Sequence, residues 1–266
     1  MNRIGLNTFL FLSPFTNQST KWFKKFKAMG FDTVELPVED PAHIDPAHVK
    51  RELDKAGLAC GSICACTGAD RDLRGTPRQQ KIAMTYFKTL IDQMVILECP
   101  SLIGPVYSAT GRADAVPREE YRQQWKLVKS HLKNLAVYAG ERGKQVCLEP
   151  LNRFETDFIN TCEQGLQMVK EVNHPAMKLQ LDTFHMNIEE PDMRESIRLA
   201  GPRLFHFHVA DSNRWYPGAG HIDFPALVAV LREIGYAGYV SVEAMPMPDA
   251  DTCAEKSVAA MRLWGL

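Results

Sequence analysis

Apolar residues along the chain fall into eight short runs, separated by stretches whose apolar positions recur every three to four residues. The short runs are Arg3–Phe9, Thr33–Val38, Ala59–Cys66, Ser101–Val106, Gln145–Pro150, Lys178–Thr183, Leu204–Asp211 and Tyr239–Met245. Most are near-continuous in apolar character, the pattern of parallel strands covered by helices on their outer face. Between them the helical period predicts eight helices. In the first, Ser19 or Thr20 stands where a cap is needed before Trp22, Phe23, Phe26 and Met29, and Gly30 ends the stripe. Asp45–Lys55, closed by Gly57, is the second. Pro77 opens a long helix carrying Ile82, Phe87, Leu90, Ile91 and Met94, and Pro117 opens another carrying Tyr121, Trp125, Val128, Leu132, Leu135 and Ala136. Cys162–Val172, Asp192–Ala200, Phe224–Ile234 and Asp251–Leu263 complete the set.

Strict strand–helix alternation through eight units predicts a parallel sheet with crossover helices, closed as a (β/α)8 (TIM) barrel. Residues 1–266 divide into units of about 33 residues, the size this fold uses, so one domain is expected across the chain. A doubly wound open sheet would carry a glycine-rich phosphate turn after its first strand. Leu6-Asn7-Thr8-Phe9 has none.

Composition refines this picture little. Hydrophobic residues make up 45% and charged residues 24%, enough for a sizeable core. A formal net charge of −1 gives no electrostatic footprint for nucleic acid. Met1-Asn2-Arg3-Ile4-Gly5-Leu6 runs straight into the first strand without the apolar core of a signal peptide, and no stretch reaches a membrane span. The expectation is a soluble cytoplasmic protein with no membrane or nucleic-acid partner. The seven cysteines are odd in number and form no CxxC pair, so buried reduced thiols are expected. Cys66 stands apart at a strand end.

Chemistry in such a barrel belongs to the C-terminal ends of the strands. The fifth run ends in Cys-Leu-Glu149-Pro, the sixth in Leu-Gln-Leu-Asp182-Thr, the seventh in Phe-His206-Phe-His208-Val, and the eighth in Val-Ser-Val-Glu243-Ala. One carboxylate at a strand end is as readily a helix cap or an ion-pair partner. Four metal-capable side chains, roughly one β-α unit apart on successive strands, point to a single shared metal site. Three carboxylates and an imidazole form a hard O/N set suited to Mn2+, Mg2+ or Co2+ rather than to a closed structural zinc site. A six-coordinate ion would keep two positions for substrate oxygens or water. His206 shares a face with His208 and is expected to line the core. The early loops, Asn7–Phe15, Cys66–Arg74 and Gly104–Arg112, are expected to build the distal pocket, with Phe9, Phe11, Phe15 and Tyr107 as apolar walls. Arg71, Arg74 and Arg112 are expected in solvent; one turned inward would favour an acidic sugar as substrate.

Three segments carry a resemblance. Glu149-Pro-Leu-Asn-Arg-Phe-Glu155, Leu181-Asp182-Thr-Phe-His185-Met-Asn-Ile-Glu-Glu, and His206-Phe-His208-Val-Ala-Asp-Ser-Asn-Arg214 with Pro217-Gly218 resemble the ketose 3-epimerases, the D-tagatose and D-psicose (allulose) 3-epimerases of the xylose isomerase-like barrels. The resemblance implies metal ligands at Glu149, Asp182, His208 and Glu243, and sugar contacts from Glu155, His185 and Arg214. It further implies manganese or cobalt as the ion and a homodimer or homotetramer as the assembly. Two departures bear on the substrate. The family's eighth strand commonly continues Glu-Pro-Phe, whereas Glu243 is followed here by Ala244, Met245 and Pro246, and the chain is shorter than typical sugar epimerases of the group. In the Ser-Asn-Arg-Trp-Tyr-Pro-Gly segment and in length it is similar to a branch that includes keto-sugar-acid epimerases of the 5-keto-gluconate type.

The expected chemistry inverts C3 of a free 2-ketose by removing a hydrogen alpha to the carbonyl and returning it from the opposite face. Glu149 and Glu243, from the fifth and eighth strands, are the expected proton-transfer pair, and Asp182 and His208 the anchors of the ion. His185 and Glu155 would hold hydroxyls near C1 and C2, and Arg214 would face charge at O2, unless Glu155 and Arg214 simply pair with each other. The rival readings are a hydroxypyruvate isomerase-like aldose–ketose isomerase, a multi-metal endonuclease of apurinic sites, and a non-catalytic sugar-binding protein.

Overall fold

The computed structural model describes residues 2–266; Met1, the first residue of the N-terminal lead-in, lies outside them. Eight parallel strands close into a barrel in sequential order, with β8 hydrogen-bonded back to β1. The strands are β1 Arg3–Asn7, β2 Thr33–Val38, β3 Ala59–Ala65, β4 Ser101–Gly104, β5 Gln145–Leu148, β6 Met177–Asp182, β7 Leu204–Val209 and β8 Tyr239–Val242. Each expected strand is present; β2 keeps its expected bounds and the other seven end sooner, where the chain turns into a site loop.

The helices are α1 Phe23–Ala28, α2 Pro46–Ala56, α3 Pro77–Ile96, α4 Arg118–Gly140, α5 Cys162–Val172, α6 Thr183–Glu189, α7 Met193–Ala200, α8 Phe224–Glu233 and α9 Ala250–Leu263. Local chemistry sets many of their starts. The Thr76 and Gln79 side chains form a reciprocal cap at α3, with Pro77 in the first turn, and Thr161 and Gln164 do the same at α5. The first helix starts differently from expectation. Thr16, not Ser19 or Thr20, is the cap, and it opens a 3-10 turn over Asn17–Trp22 that leads into α1, with Ser19 returning the hydrogen bond. The short α6 was not expected.

Period-two alternation sorts the strand residues. Ile4, Leu6, Val34, Leu36, Leu179, Leu181, Val240 and Val242 belong to the main buried core. Inside the barrel, Cys64, Ile103 and Cys147 pack as a separate small cluster. At Gly5 a Cβ would run into Ser241 Oγ on the neighbouring strand, so only glycine lets β1 and β8 approach there. The remaining inward positions toward the mouth are polar: Asn7, Glu35, Gln180, Asp182, His206 and His208, all buried.

Candidate active site at the barrel mouth

Asp182 ends β6 and is the register partner of His208 on β7, so the pairing of two strands brings these side chains together. Glu149 and Glu243 follow the last residues of β5 and β8. One ligand atom from each of Glu149, Asp182, His208 and Glu243 lies within 4.8 Å of the others. His208 Nδ1 stands 3.5 Å from Glu243 Oε2, 3.9 Å from Glu149 Oε1 and 4.0 Å from Asp182 Oδ2. These separations leave room for an ion at the centre. Glu149 Oε1 and Asp182 Oδ2 are buried without a hydrogen-bond partner, which is costly for a carboxylate unless something positive sits between them. The four residues fit a divalent cation.

The electrostatics of the ion-free cluster tell the same story. Burial, reinforced by Glu243, raises the Glu149 carboxyl well above the usual carboxylate range. Burial raises Asp182 to about 6, against the pull of Arg214. Burial would raise Glu243 as well, but His208 and Arg214 outweigh it and hold it at about 2. Three carboxylates share too little positive charge for all to ionise freely.

Three of the four cluster residues are held by neighbouring groups. Asn7 Nδ2 donates to Glu243 Oε1 at 2.8 Å, and Arg214 Nη2 donates to Glu243 Oε2 at 2.7 Å. Asp182 Oδ1 accepts from the Phe184 backbone N–H, capping α6 and leaving Oδ2 for the site. The His208 ring lies between Gln180, whose Nε2 is 3.0 Å from Nδ1, and Glu35, whose Oε2 is 2.8 Å from Nε2. Glu35 also approaches His206 Nε2 at 2.5 Å. His206 is thus more than core lining: it shares a buried carboxylate with His208. Glu35, His206 and His208 form a second group of metal-capable side chains, drawn together here by direct carboxylate–imidazole contacts. Burial would raise Glu35, yet the two imidazoles bring it well below the usual range.

Glu35, Asn7, Gln180 and Asn152 were missed in the sequence. Glu35 had a signal, as the only charged residue in the apolar run Thr33–Val38. Gln180 sits two before Asp182 and therefore on the same face.

Around the cluster opens a cavity of about 620 Å3 lined by Glu149, Glu243, Glu155, His185 and Arg214, among others. His185 comes from α6; the Asn152 backbone N–H and Nδ2 reach its Nδ1 at 3.2 and 2.8 Å. Burial and the neighbouring Arg214 push its pKa down to about 3, so the ring is neutral. Asn152 Nδ2 also donates to Glu155 Oε1 at 2.9 Å. Arg214 adopts a left-handed backbone with φ of 58°, and its guanidinium lies 4.5 Å from the Phe184 ring centroid. That strained backbone is fastened by Asp211, which accepts from the N–H groups of Ser212, Gly218 and Ile222. Arg214 pairs with Glu243, not with Glu155.

The distal loops partly match expectation. Phe9, Cys66 and Arg71 line the cavity. Phe15 and Tyr107 do not, being fully buried, and Phe11 packs against Trp22 and Phe26. Arg74 is buried against Asp157, and Arg112 pairs with Asp72, so neither stands free in solvent as expected. Among the described residues no helix is long and apolar enough to cross a membrane.

Residues 23–264 match the family model of the xylose isomerase-like TIM barrels. An L-ribulose 3-epimerase from Methylomonas sp. is 32% identical over 88% of this chain and 82% of its own length. A D-psicose 3-epimerase from Agrobacterium fabrum is 44% identical over 84% of this chain and 78% of its own. The solved structure of a D-allulose 3-epimerase from Methylomonas sp., in complex with D-allulose, superposes with a TM-score of 0.91 at 27% identity, covering 98% of this chain and 96% of that one. With this fold, this cluster and these relatives, the chain belongs to the xylose isomerase-like TIM barrel family and, within it, to the ketose 3-epimerases, enzymes of the isomerase class.

Proposed function

We propose that this protein is a cytoplasmic, divalent-metal-dependent epimerase that inverts C3 of a free 2-ketose such as D-tagatose, D-fructose, D-psicose or L-ribulose. The observation that carries the reading is the orphaned pair Glu149 Oε1 and Asp182 Oδ2. Both converge with His208 Nδ1 and Glu243 Oε2 on one point in the wall of a sugar-sized cavity. Glu149, Asp182, His208 and Glu243 would hold Mn2+, with Co2+ or Mg2+ as substitutes of similar hardness. When bound, such an ion supplies Lewis-acid stabilisation of negative charge on the substrate's O2 and O3.

The chain's own residues move the proton. One carboxylate of the Glu149–Glu243 pair takes the hydrogen from C3 as a proton. The C–H electron pair becomes the C2–C3 double bond, and negative charge passes to O2. The other carboxylate returns a proton to the opposite face of C3, and the roles exchange for the reverse reaction. Arg214 places its guanidinium beside the developing charge. His185, neutral and with Nδ1 engaged by Asn152, presents Nε2–H to a hydroxyl near C1 or C2. Glu155, held at one oxygen by Asn152, offers the other as acceptor. The same reading makes the protein a homodimer or homotetramer, with Phe154, 73% exposed beside the site loop, as an apolar contact residue.

The test is hydrogen exchange. Mn2+-loaded protein, incubated with ketoses in deuterated water and quenched with chelator, should place deuterium at C3 and yield the C3 epimer. Glu149→Gln and Glu243→Gln should each reduce that exchange by at least about 100-fold, the scale of positioned acid–base catalysis. Deuterium at C1 alone would make the protein an aldose–ketose isomerase. Near-wild-type exchange in either metal-bound variant would reject the two-carboxylate scheme.

A further inference from the structure

The four cluster residues occupy the β5–β8 side of the barrel mouth, and the loop after β3 faces them from across the ring. Arg71 lies in that loop and lines the same cavity. It is held in a fixed place. Its guanidinium carbon sits 4.0 Å from the centroid of the Tyr86 ring, and Nη1 donates to the Cys66 carbonyl at 2.9 Å. Tyr86 is itself clamped, donating its phenol O–H to the Val38 carbonyl at 2.6 Å and accepting the Cys66 N–H at 2.9 Å.

What Arg71 lacks is a counter-ion. Its loop neighbours Arg74 and Arg112 are paired with Asp157 and Asp72, whereas among the described residues no carboxylate lies within ion-pair distance of Arg71. Five acidic residues line the cavity: Glu149, Glu155 and Glu243 on the β5–β8 side, and Glu39 and Asp70 from the loops after β2 and β3, none within ion-pair distance of Arg71. Glu39 turns one oxygen to Ser13 Oγ at 2.7 Å and the other to the Phe15 N–H at 3.1 Å, and Asp70 is exposed to water. The cavity therefore presents a stacked, half-buried guanidinium opposite the metal cluster, with Phe9 and Met245 as apolar surface in the same wall.

We infer that Arg71 binds the terminal carboxylate of an acidic ketose, so that the enzyme acts on keto-sugar acids in preference to neutral ketoses. This rests on the 3-epimerase reading and names the substrate class within it. The planar fork of a guanidinium matches a carboxylate in two parallel hydrogen bonds. A terminal CH2OH would leave the charge unmatched in a half-buried position. A phosphate dianion, beside Asp70 and with one guanidinium to hold it, would be under-compensated.

The experiment compares D-tagaturonate, D-tagatose and D-tagatose 6-phosphate on the Mn2+-loaded enzyme, following deuterium entry at C3. The uronate should exceed the neutral ketose in kcat/KM by at least about tenfold, the scale of charge-assisted hydrogen bonds. Arg71→Gln should shrink that ratio about 10–100-fold, chiefly through KM of the uronate, with Arg71→Lys intermediate because it keeps the charge and loses the fork. Asp70→Asn should raise the ratio by removing a repelling charge. If Arg71→Gln does not fold, salt decides on the wild type: the uronate KM should climb with ionic strength and the tagatose KM should not. Equal efficiency on uronate and tagatose, a ratio unmoved by Arg71→Gln, or preference for the phosphate overturns the inference alone. Absence of C3 exchange with all three substrates overturns the epimerase reading, and this inference with it.

Discussion

His208 has two ring nitrogens, and only one of them can face an ion. Glu35, fully buried, takes a hydrogen bond from Nε2 at 2.8 Å and so turns Nδ1 toward the three carboxylates. The same carboxylate lies 2.5 Å from His206 Nε2, so one buried carboxylate faces two imidazoles. Glu35→Gln should therefore weaken Mn2+ binding about 10–100-fold, the usual cost of losing such a supporting bond, as read by calorimetric titration. An unchanged affinity would mean that the ring is oriented by packing alone. A second consequence concerns protons. Asp182, with its pKa raised to about 6 in the ion-free protein, must be ionised to bind a cation, so protons compete with metal below that value. Raising the pH through 6 should strengthen binding, and lowering it from 7.5 to 5.5 should weaken it by at least about fourfold from this group alone. Glu149, raised further by burial, adds in the same direction. Titrations at the two pH values check the sign, and pH-independent affinity would exclude this cluster as the metal site.

Elements were legible in the sequence wherever local chemistry decides them. All eight strands and every helix but α6 could be read from apolar period, caps and glycines, because crossover helices leave parallel strands almost wholly apolar. The four residues of the cluster followed, since each is an ionisable interruption toward the end of such a run. What the sequence concealed is long-range. The short α6 is masked because its cap, Asp182, also ends β6; the helix then carries His185 to the cavity. The loop contacts are hidden for the same reason: Arg74 in the β3–α3 loop meets Asp157 in the β5–α5 loop at 2.6 Å, with both side chains nearly inaccessible. That ion pair ties together the two loops that carry Arg71 and Glu155. Asp157→Ala would leave a buried guanidinium without its partner, at a cost of about 3–5 kcal/mol. Urea unfolding should report that loss, together with a raised substrate KM as the loops loosen. A change below about 1 kcal/mol would show that Gln124 and Ser108, the other partners of Arg74, suffice.

At the scale of the whole molecule, the barrel concentrates like charge at the mouth end of its buried interior. Glu149, Asp182 and Glu243 meet there with His208 and Arg214 against them, and burial, reinforced by the neighbouring carboxylates, pushes Glu149 and Asp182 upward. The ion-free cluster is thus unfavourable in a way that a bound cation would relieve, and function and stability should pull apart at Glu149. Glu149→Gln deletes the most strongly disfavoured charge while keeping the shape of the side chain. The ion-free variant should be more stable than the ion-free wild type, by about 0.5–2 kcal/mol, the usual scale of a single stabilising substitution. With metal the order should reverse. At an ion concentration of about 100 times Kd the wild type gains about 2.7 kcal/mol, whereas the variant, lacking one of four ligands, gains far less. Thermal unfolding of both proteins with Mn2+ and with chelator measures all four states. A wild type indifferent to metal, or a variant less stable than wild type in chelator, would refute the view that the cluster's strain is the counterpart of its affinity for a cation.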